Sequence, residues 1–262
     1  MKPRYSKNIL SHDIRLRLNG RENPIMKNIV KLINEAKNIT VVTGAGVSVS
    51  GGISDYQTAN KEWKYEEDRF SVMSYPFFKQ EPERFWEIYR EIRAKEISKT
   101  AFHDFVKSLE DNADVTVVTQ NVDGLHQESG SENVIEVHGS RNHLICINEN
   151  ILFSIDLMDK EKTPKCPNCS NVLKPDVSLF FEGVRFLSEA REAIMDSDLL
   201  IVAGTSLNVG PFNELVLYGT INHKPSIWIN LEKAPELYDF TEQYLGTTDK
   251  FASDMGNNAS SL

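Results

Sequence analysis

Ile39-Thr40-Val41-Val42-Thr43-Gly44-Ala45-Gly46 reads as a β-branched strand that runs straight into glycines. Four later segments repeat the form, an apolar run with a polar tip: Val117-Val118-Thr119-Gln120-Asn121-Val122-Asp123, Val134-Ile135-Glu136-Val137-His138-Gly139, Leu199-Leu200-Ile201-Val202-Ala203-Gly204-Thr205-Ser206 and Ile227-Trp228-Ile229-Asn230-Leu231-Glu232. In an open parallel α/β sheet the loops after the carboxyl ends of the strands line the ligand crevice. Polar chemistry gathered at several such ends points to a small-molecule enzyme rather than a scaffold. The expected class is α/β, a parallel sheet with helices on both faces.

Composition narrows the surroundings. With 40% hydrophobic and 26% charged residues, the 262-residue chain is an ordinary globular protein, long enough for a large domain plus a small one. No apolar run approaches the ~20 residues of a membrane span. The basic opening Met1-Lys2-Pro3-Arg4 is not followed by an apolar stretch of signal-peptide length. These features predict a cytoplasmic protein, the nucleus not excluded, without a membrane partner. A net charge of −9 disfavours general nucleic-acid binding. The local basicity up to Lys31 fits a solvated arm, taken as residues 1–25. Three cysteines cannot make a disulfide framework, and their spacing suggests a metal.

Apolar positions at helical spacing predict a helix over 26–38, and others near Phe85 to Ile92 and Phe102 to Leu109. The stretch of about 52–99 is aromatic and charged, and reads as a helical and loop insertion. All three cysteines fall in 141–175, where the α/β pattern breaks. This predicts a small module inserted between 26–140 and 176–262, which together form the α/β body. The polar tail from Asp254 to Leu262 is expected to fray.

The turn Gly44-Ala45-Gly46 suits close approach to a pyrophosphate with a helix N-terminus behind it. The full dinucleotide fingerprint wants another glycine three residues on, where Val49 stands. No acidic residue falls at the expected ribose-gripping distance outside the irregular Glu62 to Glu67 stretch, which argues against a hydride-transferring enzyme.

Gly44 to Gln57, with Ser48 and Gly52-Ile53-Ser54-Asp55-Tyr56-Gln57, resembles the sirtuin signature of a Gly-Ala-Gly turn, a serine, then Gly-Ile-Pro-Asp-Phe-Arg. The resemblance continues through Thr119 to His126, Val137 to Ser140, Cys166-Pro167-Asn168-Cys169, Leu173 to Val177, Gly204 to Leu207 and Ile229 to Glu232, in matching order. It implies a Rossmann-like domain over 26–140 and 176–262 with a small zinc-ribbon-type module at 141–175, and an NAD-dependent protein lysine deacylase, most plainly a deacetylase. Such an enzyme cleaves nicotinamide from NAD and passes the acyl group of an acyl-lysine peptide to ADP-ribose.

Carried over by motif, Gly44, Ala45, Gly46 and Ser48 would hold the phosphates and adjoining ribose, with Asp55, Tyr56 and Gln57 in the loop beside them. Gln120, Asn121 and Asp123 would order the nicotinamide end. Gly204, Thr205 and Ser206 would touch phosphate or ribose, and Asn230, Leu231 and Glu232 the adenosine. Val177, Leu179, Phe180 and Phe181 would receive the peptide as an added strand. The chemistry asks for these types independently. Positive charge developing at the ribose carbon wants a carboxylate and amide dipoles nearby. A ribose hydroxyl must also lose a proton, which suits a histidine. His138 is the expected base, with Asn121 and Asp123 beside it, whereas His103 and His126 read as structural.

The family's two Cys-x-x-Cys pairs, which imply a structural zinc, are incomplete here. Cys166 and Cys169 are intact, but Cys146 has Glu149 in place of its partner. Glu149 can ligate zinc through oxygen. His143 or water are other fourth ligands, and folding without metal is the alternative. Other departures bear on activity: Gln57 stands for the family arginine, Ser54 for a proline and Phe181 for a glycine. Tyr89-Arg90-Glu91-Ile92 lacks the Tyr-x-x-Arg of sirtuins that take acidic acyl groups, so desuccinylation is not expected. The alternatives on the same fold are an ADP-ribosyltransferase or NAD glycohydrolase, and a catalytically impaired NAD-binding module.

Overall fold

A computed structural model describes residues 23–54, 56–208 and 210–259, with the side chains of 56, 57 and 257–259 outside the description. Most of the expected arm, 1–22, lies outside the described residues.

Six strands form a wholly parallel sheet: β1 (Asn38–Thr43), β2 (Asp114–Thr119), β3 (Asn133–Glu136), β7 (Leu199–Ala203), β8 (Ser226–Asn230) and β9 (Glu242–Leu245). Their order is β3-β2-β1-β7-β8-β9, with β4 (Gly139–Cys146), β5 (Ile151–Ser154) and β6 (Lys174–Val177) in a separate sheet. The chain steps outward from β1 in one direction, then returns and steps outward in the other. The reversal leaves a crevice outside the carboxyl ends of β1 and β7, the place where such folds hold ligands.

Strand alternation divides the core between two faces. Val41, Val117, Ile201, Ile227 and Ile229 pack with the helices Pro24–Glu35, Ala101–Leu109 and Thr248–Ala259. Val42, Val118, Val202 and Trp228 point the other way, toward the helices Leu187–Asp196 and Phe212–Ile221. Val41 and Val42 are both 0% exposed, so this central strand is dry on each side. Each such side chain contributes about 1.5–3 kcal/mol of burial. The helix expected over 26–38 begins earlier, at Pro24, where the Asn23 side chain accepts from the Ile25 N–H at 3.1 Å.

Residues 56–93 supply the helices Tyr56–Lys61, Arg69–Val72, Tyr75–Gln80 and Pro82–Arg93. Phe85, Trp86 and Tyr89 of the last helix pack against a three-stranded antiparallel sheet made of β4 (Gly139–Cys146), β5 (Ile151–Ser154) and β6 (Lys174–Val177). Trp86 Nε1 donates to the Leu173 carbonyl at 3.1 Å and ties helix to sheet. The expected frayed tail is instead helical as far as Ala259. Phe251, Ala252 and Met255 are buried, and the Tyr244 hydroxyl donates to Asp254 at 2.7 Å, so packing overrides the polar composition. Among the described residues, no helix is long and apolar enough to cross a membrane.

Candidate active site

The tips of β1 and β7 cross at van der Waals limits. The Gly44 N–H donates to the Ala203 carbonyl at 3.2 Å and the Gly46 N–H to the Gly204 carbonyl at 2.8 Å. A Cβ on Gly46 would stand 2.6 Å from the Gly204 Cα, and one on Gly44 would stand 2.8 Å from the Thr205 Cβ. The glycines therefore make room for the opposing tip, rather than for a ligand alone. After Gly44 come only short 3-10 turns, Ala45–Val47 and Val49–Gly51, where the sequence led us to expect a helix N-terminus. The N–H groups of Ala45 and Ser206 find no acceptor among the described residues.

Behind that crossing, a chain of hydrogen bonds joins the strand ends. Asn121 Nδ2 donates to the Gly44 carbonyl and to Ser48 Oγ, each at 3.2 Å. Ser48 Oγ donates to Asp123 Oδ2 at 2.8 Å, and the Leu125 N–H donates to Asp123 Oδ1 at 3.0 Å. Ser48 is 0% exposed, with both its partners committed within the protein. Its hydroxyl thus links the glycine turn to Asp123, and is not open to a phosphate.

Gln120 joins the two halves of the crevice. Its side-chain Oε1 accepts from Thr205 Oγ1 at 2.8 Å, and the Thr205 carbonyl accepts from Asn230 Nδ2 at 2.7 Å. Its main-chain carbonyl meets His138 Nδ1 at 2.9 Å. A carbonyl only accepts, so Nδ1 carries the proton and Nε2 keeps its lone pair. Burial holds the half-buried His138 imidazole below the ordinary histidine pKa, and the Gln120 carbonyl partly opposes that. Neutral His138 is therefore the form prepared at neutral pH. It sits just before Gly139, whose φ of 79° turns the chain where a Cβ would collide with the Asp176 carbonyl. The Ser178 N–H donates to the His138 carbonyl at 2.7 Å, so the segment Val177 to Phe181, expected to receive the peptide, runs beside the His138 main chain.

Of the remaining expected contacts, Thr205 is buried, whereas Ser206, Leu231 and Glu232 are exposed at the outer ends of β7 and β8. Trp228 Nε1 anchors that outer end through the Glu232 carbonyl at 2.7 Å. Asp55 and the side chains of Tyr56 and Gln57 lie outside the described residues. His103 and His126, read from the sequence as structural, are buried. His103 Nδ1 accepts from the Thr100 N–H at 3.1 Å, and His126 Nε2 meets Thr43 Oγ1 at 3.1 Å. Sequence reasoning assigned no role to Glu136, whose carboxyl is pushed above its ordinary pKa by burial. Glu136 ends β3, two residues before His138 in the turn that follows, and that nearness in sequence was the available signal.

The cysteines converge too. Cys146 ends β4, Glu149 lies in the turn into β5, and Cys166 and Cys169 flank a tight turn. Their four ligand atoms lie within 4.8 Å of one another. Cys146 and Cys169 Sγ are 3.5 Å apart, and Glu149 Oε2 is 3.4 Å from Cys166 Sγ. His143 is exposed on β4 and does not belong to this group.

Residues 44–211 match the Sir2 family. The NAD-dependent protein deacetylase 2 of Geobacillus kaustophilus is 34% identical over 198 residues, 74% of this chain and 80% of that protein. The NAD-dependent protein deacetylase of Clostridium acetobutylicum is 36% identical over 220 residues, 80% of this chain and 88% of that protein. A solved structure of Sir2 with a p53 peptide and NAD+ superposes with a TM-score of 0.78 at 28% identity, over 90% of this chain and 98% of that one.

Proposed function

The chain belongs to the Sir2 family, and we propose that it is an NAD-dependent protein lysine deacylase, a deacetylase first of all. One observation carries the reading to the residues: the bond from His138 Nδ1 to the Gln120 carbonyl at 2.9 Å, which leaves Nε2 as a base at the mouth of the crevice. The donor set fits a dinucleotide, with N–H groups at Ala45 and Ser206, on opposite lips, that find no acceptor among the described residues. When bound, NAD supplies an ADP-ribosyl group as acyl acceptor, once nicotinamide has left.

The chain's own part is positioning and proton transfer. Asp123, fixed by Ser48 and the Leu125 N–H, holds a negative charge at the nicotinamide end. Asn121, oriented by Ser48 and the Gly44 carbonyl, lies beside it. His138 Nε2 takes the proton of a ribose hydroxyl, and the Nδ1–H bond stabilises the imidazolium that results. Gln120, Thr205 and Asn230 keep the two halves of the crevice in register. The acyl-lysine peptide lies along Val177, Leu179, Phe180 and Phe181.

Three thiolates and a carboxylate within 4.8 Å suit tetrahedral zinc. In this reading 141–175 is a small zinc-binding module inserted in the Rossmann-like body of 26–140 and 176–262, and Cys146, Glu149, Cys166 and Cys169 hold the ion for structure. A cytoplasmic setting, without general nucleic-acid binding, accords with the acidic charge of −9.

The test is incubation with NAD, with and without an acetyl-lysine peptide, followed by mass spectrometry. The reading expects nicotinamide, deacetylated peptide and O-acetyl-ADP-ribose, all dependent on peptide. Nicotinamide release indifferent to peptide would replace it with a glycohydrolase.

A further inference from the structure

The loop after β6 carries aromatic rings that neither fold nor proton transfer explains. Phe181 has φ 71°, in the left-handed region where a side chain is strained, and it is 75% exposed. Phe70, from the helix Arg69–Val72, is 42% exposed and meets Phe181 edge-on with ring centroids 5.3 Å apart. Phe180 lies 4.2 Å from Phe70 on a tilted ring. A large apolar side chain that gains little burial, on a backbone glycine would adopt freely, has no folding reason to be there.

The base beneath these rings is rigid. The Phe180 N–H donates to the Met73 carbonyl at 2.9 Å, and its own carbonyl accepts from the Tyr75 N–H at 3.0 Å. This edge of the loop is therefore already paired, so a peptide strand must take another edge. Buried Lys174 donates to Glu182 at 2.9 Å, and the same carboxylate accepts the Leu179 N–H at 2.8 Å. The loop's carboxylate is thus committed to Lys174 of β6, and its cation, Arg185, to Asp176. What the loop presents outward is apolar.

Resting on the deacylase reading, we infer that Phe70 and Phe181 form an aromatic platform that selects an apolar side chain next to the acyl-lysine of the polypeptide substrate. Ser178 is bonded to His138, and Phe181 follows three residues later, a span of at most about 10 Å. Neighbours of a lysine in an extended peptide lie about 3.4 and 7 Å along its axis, within that reach. The acyl group must turn inward to the imidazole, whereas the platform faces outward, so its occupant is a flanking residue.

The test uses two acetyl-lysine peptides that differ only in the flanking residues, leucines in one and serines in the other. Peptide affinity is read by fluorescence anisotropy and kcat/KM by product formation, for the natural chain, Phe181→Gly and Phe70→Ala. The natural chain is expected to prefer the leucine peptide by roughly tenfold in both readouts. Each variant should reduce the preference to about twofold or less, with NAD affinity from calorimetry as the control for an intact cofactor end. No preference in the natural chain, or one undiminished in both variants, overturns the platform. Deacetylation at equal kcat/KM on both peptides removes the platform alone. A platform-dependent binding preference without deacetylation removes the deacylase reading alone, and failure to bind either peptide removes both.

Discussion

The imidazole of His138 and the main-chain carbonyl of Gln120 are 2.9 Å apart, and that contact fixes which ring nitrogen can accept a proton. Because Gln120 also receives the Thr205 hydroxyl, the His138 ring is oriented from the same residue that joins the two sides of the crevice.

His138→Ala is expected to lower peptide-dependent nicotinamide release by about a hundredfold to ten-thousandfold, the usual worth of a positioned base. Burial lowers the pKa of His138, and the proposed mechanism needs the neutral ring. The acid limb of kcat/KM should therefore fall below pH 6.5. A limb at or above that value, measured from pH 4.5 to 8.5, rejects His138 as the titrating group.

His103 and His126 meet edge-on with ring centroids 4.6 Å apart, and burial drives both toward the neutral form. The His126 pKa falls from 6.5 to about 3, first through burial and then through the charge of His103. Between those values the unfolded chain binds more protons than the folded one, so stability falls as pH falls. This contribution is fully present above pH 6.5. Urea midpoints at pH 7.5 and 5 should show the loss, and His126→Gln should flatten the dependence. Identical slopes in the variant and the natural chain would contradict the assignment.

Gly46→Ala places a methyl 2.6 Å from the Gly204 Cα and is expected to cost about 1–3 kcal/mol through overpacking. Gly256→Ala is the counterpart: its Cβ meets nothing within 4 Å, on a helix. That substitution should be neutral, or stabilise by up to about 1 kcal/mol. Urea denaturation distinguishes them, and equal costs would show that the strand-tip crossing is less crowded than described.

Glu149→Cys should bind zinc more tightly, shifting the chelator concentration for half-release upward by about tenfold, because thiolate suits the ion better than carboxylate. Glu149→Ala should shift it downward and lower the thermal midpoint. Metal content by plasma mass spectrometry reports both, and indifference of zinc retention to residue 149 would remove Glu149 from the ligand set.

Much of the sheet was legible because a doubly buried parallel strand must be apolar along its length. Val41, Val117, Ile201 and Ile227 announce themselves. The edge strand β9 did not, since Glu242-Gln243-Tyr244-Leu245 buries only its tyrosine. Likewise β5 is mostly exposed and draws its form from pairing with β4. The helix Phe212–Ile221 is apolar around much of its circumference and offers no clean stripe. At the site, the residue types at the strand ends could be read from the sequence, but their partners could not. That Ser48 turns inward to Asn121 and Asp123, and that the glycines serve the opposing tip, depends on contacts between distant parts of the chain.

The meeting of Gly46 with Gly204 has a consequence for biosynthesis. During translation β1 and β2 leave the ribosome long before β7, so one flank of Val41 and Val42 stays unpaired until the second half of the chain arrives. The crevice cannot exist in a nascent polypeptide that stops short of residue 204. Such a fragment, made deliberately, should bind chaperones and yield to protease at β1 where the whole chain resists.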